Sequence, residues 1–163
     1  MNVRKILVPV DFSEGSREAM DAALALSKSM RGEVAIDLLH VWDAKTERLL
    51  PELTLRSDEK GTAQRLLQEV RAQSSGLQRA ASFLGELERE GLKVEARMVH
   101  GPVVETILER AIDGAYDLVV MGTHGRKGVQ RVLGSVAERV VRESLIPVLT
   151  VRMPASAASA ANG

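Results

Sequence analysis

The sequence predicts an α/β protein: an open five-stranded parallel sheet, doubly wound with helices on both faces. Three observations carry this expectation. Short continuous apolar runs, among them Ile6 to Val10 and Leu118 to Met121, have the composition of strands covered on both sides. Stretches of helical period lie between such runs. Strand-like and helical segments alternate along nearly the whole chain, which calls for crossover connections between parallel neighbours. Right-handed crossovers wind such a sheet on both faces.

The elements follow in order. Lys5 to Val10 is the first strand, ending in Asp11-Phe12-Ser13, where Ser13 has the residue type and place of a helix N-cap. A helix from Glu14 to Met30 puts Met20, Ala23, Leu24 and Met30 near one face, and Gly32 stops it. Glu33 to Trp42 reads as the second strand. Asp43 to Lys60 is charged, contains Pro51 and has no clean period, so a long connection is expected there. Thr62 to Glu90 returns to helical spacing through Ala63, Leu67, Val70, Leu77, Ala81 and Leu84, weakened by Gly76 and Gly85. Leu92 to Val99 alternates as a third strand. Pro102 suits the first turn of the next helix, whose buried face is Val103, Val104, Ile107, Leu108 and Ala111. Asp113-Gly114 ends it. Asp117 to Met121 is the fourth strand, Gly122 to Gly134 a glycine-rich segment, Ser135 to Ser144 the last helix and Pro147 to Arg152 the fifth strand. One domain over residues 1–152 is expected, followed by an Ala/Ser-rich tail over 153–163 that cannot bury enough surface to order itself.

Composition narrows the function. The chain has 163 residues, 22 Lys and Arg against 22 Asp and Glu, and 2% aromatic residues. A neutral total with few aromatics argues against a nucleic-acid partner, which asks for a basic face and rings that stack on bases. The absence of cysteine excludes disulfides, thiolate metal sites and cysteine nucleophiles, and agrees with a reducing compartment. Ile6 to Val10 is too short for a signal-peptide core, and no apolar run approaches a membrane span. A soluble, cytoplasmic protein without a membrane partner is expected.

In open sheets of this kind, ligands bind beyond the carboxyl ends of the strands, where the strand order reverses. That rule selects Val10-Asp11, Val41-Trp42, Val99-His100-Gly101 and Met121 to Gly125. The last group says most. Gly122-Thr123-His124-Gly125 leaves a buried strand, Gly128 and Gly134 follow, and Ser135-Val136-Ala137-Glu138 has the spacing of a capping box with Ser135 as N-cap. The first turn of a helix offers unpaired N–H groups and a positive dipole end, and nearby glycines let backbone approach an anion. Arg126, Lys127 and Arg131 add cations to the same loop. Together these describe a phosphate cradle; the plainer alternative is a loop with glycine turns before a self-capped helix.

The histidines His40, His100 and His124 all fall at carboxyl ends of predicted strands, but without regular ligand spacing. His124 therefore reads as a neighbour of the phosphates, and magnesium as an ion carried by them. Enzyme signals are weak. Asp11 lacks the paired acid of a receiver domain, and Asp11-Phe12-Ser13-Glu14-Gly15-Ser16 is not the Ser-Gly-Gly-x-Asp-Ser loop of amidating enzymes. At most, a water placed beside His124 or Arg126 would slowly hydrolyse a cradled phosphate.

These segments together resemble the universal stress protein family, from Lys5 to Arg152. The resemblance is carried by Ile6 to Ser13, Leu39-His40-Val41, His100-Gly101, Asp117 to Gly122, Gly125-Arg126 through Gly134 to Glu138, and Ile146 to Leu149. The ATP-binding branch of that family has Gly, two residues, Gly, nine residues, then Gly-Ser or Gly-Thr. Here eight residues separate Gly125 from Gly134, a loop one residue shorter. The resemblance implies ATP or a related adenine nucleotide as a regulatory ligand. Asp11 would meet ribose or adenine, and Val10, Val41 and Met121 would line the adenine slot. Gly122, Gly125, Gly134, Ser135 and Val136 would hold the phosphates, with His124 and Arg126, placed by their own positions in the loop, beside them. It also implies a homodimer through the last strand. A family member working through protein contacts without nucleotide, and a slow ATPase, are the alternatives.

Overall fold

The computed structural model describes residues 2–42, 53–56, 75–90, 94–123 and 133–153. The strands are β1 (Lys5–Pro9), β2 (Ala35–Trp42), β3 (Leu53–Arg56), β4 (Glu95–His100), β5 (Leu118–Gly122) and β6 (Val148–Val151). The helices are α1 (Glu14–Ser29), α2 (Ser75–Arg89), α3 (Val103–Asp113) and α4 (Ser135–Glu143). The sheet order is β3-β4-β2-β1-β5-β6.

The five expected strands pair in parallel, with Ile6 beside both Ile36 and Leu118, and Val119 beside Val148. Each side of the sheet has its own core. Ile6, Val8, Leu38, Met98 and Val120 pack with Ala19, Met20 and Ala23 of α1 and with Ala80, Phe83, Leu84 and Leu87 of α2. Leu7, Leu39, Val99, Val119 and Met121 pack with Val104, Ile107 and Ala111 of α3 and Ala137 and Val140 of α4. Alternate residues of one strand serve opposite layers, as the pleat requires. Among the described residues no helix is long and apolar enough to cross a membrane.

The structure adds a sixth strand to the expected five. β3 pairs antiparallel with the outer side of β4, Leu53 beside Met98 and Arg56 beside Glu95. It falls inside Asp43 to Lys60, read from sequence as connection; four residues at an edge give too little alternation to stand out. The rest of that stretch, the first part of the expected Thr62 to Glu90 helix and the tail from Pro154 lie outside the described residues. Ser13 does cap α1, accepting from the Ser16 N–H. Pro102 is the N-cap of α3 rather than a residue of its first turn, and Gly114 closes that helix.

The amino end of the sheet is sealed by side chains. Asp117 accepts the backbone N–H groups of Arg4 at 2.8 Å and Lys5 at 2.9 Å, and these bonds hold its carboxyl below the ordinary aspartate value. Tyr116 Oη donates to the buried Asp37 at 2.7 Å. Burial first, and then this bond, push the Tyr116 hydroxyl well above the usual tyrosine range. Lys5 Nζ lies 3.6 Å from Asp37, donates to the Gly114 carbonyl at 3.1 Å and stands 4.4 Å from the Tyr116 ring centroid. Lys5, Asp37 and Asp117 are thus each matched by a partner.

Candidate functional site

From β1 the sheet grows outward to β2 on one side and to β5 on the other, so the strand order reverses between β1 and β5. In a doubly wound sheet the crevice beyond the carboxyl ends of these strands is the binding position. The segments that reach it are Val10-Asp11 after β1 and Gly122-Thr123 at the end of β5.

Gly122 makes the local packing there. A Cβ on this residue would stand 2.7 Å from the Gly15 carbonyl oxygen and 3.0 Å from its carbonyl carbon. Two glycines therefore let the first turn of α1 lie directly on the end of β5. The helix N-terminus, with its positive dipole end, is thereby brought to the crevice.

Asp11 organises that turn. Its Oδ1 accepts the Ser13 N–H at 3.1 Å, the Ser13 hydroxyl, and the Ser16 hydroxyl at 2.8 Å. Its own N–H donates to Ser16 Oγ at 2.9 Å. Phe12, between Asp11 and the cap, has φ +60°, a left-handed conformation that non-glycine residues rarely adopt. Val10 is held to β2 by both backbone groups: its N–H donates to the Leu39 carbonyl at 2.9 Å, and its carbonyl accepts from His40 Nδ1 at 2.8 Å.

α4 begins at the same end. The Gly134 N–H donates to the Thr123 carbonyl at 2.7 Å, and the Glu138 N–H to the Gly134 carbonyl at 2.8 Å. This corrects the capping-box expectation: Gly134 is the N-cap, no side chain caps the helix, and Ser135 is its exposed first residue. Held by the bond to Thr123, Gly134 takes extended backbone as the cap, and the helix starts one residue later than Ser-x-x-Glu suggested. The Ser135 hydroxyl is not used on the helix end, and Val136 packs at the edge of the α3 and α4 layer.

The expected adenine-lining residues do not share one layer. Val41 and Met121 are buried together on the side of α3 and α4, whereas Val10 packs on the side of α1 and α2. His124, Gly125 and Arg126 lie outside the described residues, as do Lys127, Gly128 and Arg131. The other two histidines flank Trp42, with ring centroids 4.8 Å away for His40 and 6.4 Å for His100. Among the described residues no group of three His, Cys, Asp or Glu could hold a metal ion.

Sequence reasoning missed Ser16, Thr123 and the hydrogen bond of His40. A histidine inside an apolar strand, bounded by Leu39 and Val41, was the available signal, because a buried imidazole needs a partner.

A family model described as the universal stress protein family matches residues 2–152. The universal stress protein MJ0577 of Methanocaldococcus jannaschii is 32% identical over 161 residues, covering 91% of this chain and 94% of that protein. The solved structure of MJ0577 superimposes with a TM-score of 0.66 at 30% identity, covering 95% of this chain and 99% of the other. Two more distant solved structures share the fold. A universal stress protein in complex with cAMP matches at 21% identity and a TM-score of 0.57, covering 93% of this chain and 98% of that one. A family protein from Arabidopsis thaliana with AMP bound matches at 18% identity and a TM-score of 0.58, covering 94% of each chain. A doubly wound sheet with its crevice at β1 and β5, and a family match over almost its whole length, make this chain a member of the universal stress protein family.

Proposed function

We propose that this protein binds ATP or a related adenine nucleotide at the carboxyl ends of β1 and β5, as a regulatory ligand in a cytoplasmic stress response. The observation that carries the reading is the bond from the Gly134 N–H to the Thr123 carbonyl, which starts α4, uncapped by any side chain, directly beyond β5. Such a helix end favours phosphate through its N–H groups and dipole. The adenine nucleotides named in the AMP and cAMP complexes of the two distant family members agree in chemical class.

In this reading Asp11 meets the ribose or base. Val41 and Met121 flank the adenine from one layer, with the Val10 backbone at its edge. Gly122, Gly134, Ser135 and Val136 offer backbone and hydroxyl groups to phosphate, with His124, Gly125 and Arg126 completing the loop. Magnesium arrives on the nucleotide phosphates, which supply most of its oxygen ligands. No residue is assigned a catalytic role.

The partner in this reading is a second copy. β6 ends the sheet order, and Leu149 on it is 40% exposed. Val141 of α4 and Leu145 beyond it are 45% and 87% exposed. An apolar edge of this kind invites strand pairing unless covered, and β6 of another subunit covers it here.

The test is to denature the purified protein and identify released small molecules by mass spectrometry. Thermal unfolding with added Mg-ATP, AMP and cAMP follows. An adenine nucleotide in the first measurement or a saturable upward shift in the second is expected. Finding neither overturns the nucleotide reading in favour of a family member that works through protein contacts.

A further inference from the structure

Asp11 lies between two residues that His40 holds. On one side the Val10 carbonyl accepts from His40 Nδ1 at 2.8 Å; on the other the Phe12 ring packs against the imidazole with centroids 4.6 Å apart. We propose that His40 is the positioning residue of the nucleotide end, fixing through Val10 and Phe12 the place at which Asp11 meets its ligand. The ligand half of this statement rests on the nucleotide reading above; the positioning half does not.

The physical argument begins with the sheet. In a parallel ladder, the Leu39 carbonyl takes the Val10 N–H, and the next inward backbone donor of β2 would take the Val10 carbonyl. Here a side chain supplies that donor. A carbonyl can only accept, so the imidazole carries a proton on Nδ1. The bond holds Val10 in line with β2 while freeing the chain to turn out of the sheet at the next residue. It turns through Phe12, whose φ of +60° costs strain that must be held by surrounding contacts.

Those contacts are rings. Phe12 meets His40 on one side and Phe83 of α2 at 5.7 Å on another, and Trp42 closes edge-on against His40 at 4.8 Å. His40 is 8% exposed, so its orientation is set by packing as well as by the hydrogen bond. One imidazole thereby fixes the residue before Asp11 by a directional bond and the residue after it by a ring face. Asp11 inherits its place from both, and passes it on to Ser13 and Ser16.

Asparagine can present Nδ2–H near the place of imidazole Nδ1, whereas leucine fills similar space without a donor. In the full-length protein, nitrogen NMR of the unliganded form should show a protonated Nδ1 on His40; an unprotonated Nδ1 overturns the proposal. Amide hydrogen exchange at Asp11 and Ser13 should quicken about tenfold in His40→Leu and stay near wild type in His40→Asn. Unchanged exchange in His40→Leu, or equal quickening in both variants, overturns it. Affinity for Mg-ATP should fall in the same pattern, about tenfold for His40→Leu and little for His40→Asn. Equal losses in the two variants mark a merely structural histidine. If the wild-type protein binds no nucleotide, the function reading fails, while the NMR and exchange results still decide the positioning role. Should His40→Leu not fold, the Nδ1 proton and the behaviour of His40→Asn decide it.

Discussion

The two ends of the sheet are built on opposite plans. At the amino end, Asp37, Tyr116, Lys5 and Asp117 are joined to one another or to backbone, and each charged group is matched. At the carboxyl end the backbone is in charge: glycines at Gly15, Gly122 and Gly134, the turn at Phe12, and the starts of α1 and α4. An end tied together by paired side chains adds stability. An end built from backbone donors and close glycines leaves helix termini able to meet a ligand. The same parallel strands therefore carry an anchor at one end and, in the reading proposed above, a binding position at the other.

The sharpest way to break this division is at Gly122. Gly122→Val places its side chain against the Gly15 carbonyl, where no flexible group can yield, and should cost about 3 kcal/mol in urea unfolding. A loss much below 1 kcal/mol would mean that α1 does not depend on its close approach to β5. Next in size is Tyr116→Phe, which takes a hydrogen bond from buried Asp37 and should cost about 1–2 kcal/mol. Nucleotide binding should be unchanged in that variant; a loss of affinity would show the two ends to be coupled. Tyr116 is the single tyrosine, so ultraviolet absorbance follows it alone. Its hydroxyl is raised in the native state, so the native protein should not ionise it near the ordinary value of about 10. The stability it contributes is present below that value and falls as the pH rises above it.

The smallest effect belongs to Asp117. Its carboxyl is lowered by the N–H groups of Arg4 and Lys5, so its contribution is present above the ordinary aspartate value and falls as the pH drops through the native one. Asp117→Asn should lower stability slightly at neutral pH, where the charge contributes, and flatten the acid limb below about pH 4, so that variant and wild type converge there. An acid limb identical to wild type would remove Asp117 from the account of the amino end.

The carboxyl end was more legible in the sequence than the amino end. Continuous apolar runs disclosed the parallel strands, and the rule of strand-order reversal led to Val10, Asp11 and Gly122. Ser13 was readable as a cap because capping is local chemistry. The cap of α4 was not, because the choice of Gly134 over Ser135 depends on the Thr123 carbonyl, eleven residues earlier in the chain. Phe12 gave no hint of its left-handed turn, since nothing in its residue type favours one. The layer that takes Val10 depends on how the chain continues past β1, which no local pattern fixes. At the amino end, Asp37 between Ile36 and Leu38 signalled a buried carboxylate in need of a partner, but Tyr116 is 79 residues away. Such pairings are written in the topology, and only after the strands are ordered do they become readable.

Thr123 bonds through its own backbone to two parts of the molecule. Its carbonyl accepts from Gly134, the N-cap of α4, and its N–H donates to the Val151 carbonyl at 2.9 Å, at the last residue of the outermost strand. Both bonds are made by one buried residue, 3% exposed. The start of α4 and the end of the outermost strand therefore have one backbone neighbour in common. Thr123 is a shared mooring, with the helix start tied to one side of it and the sheet edge to the other.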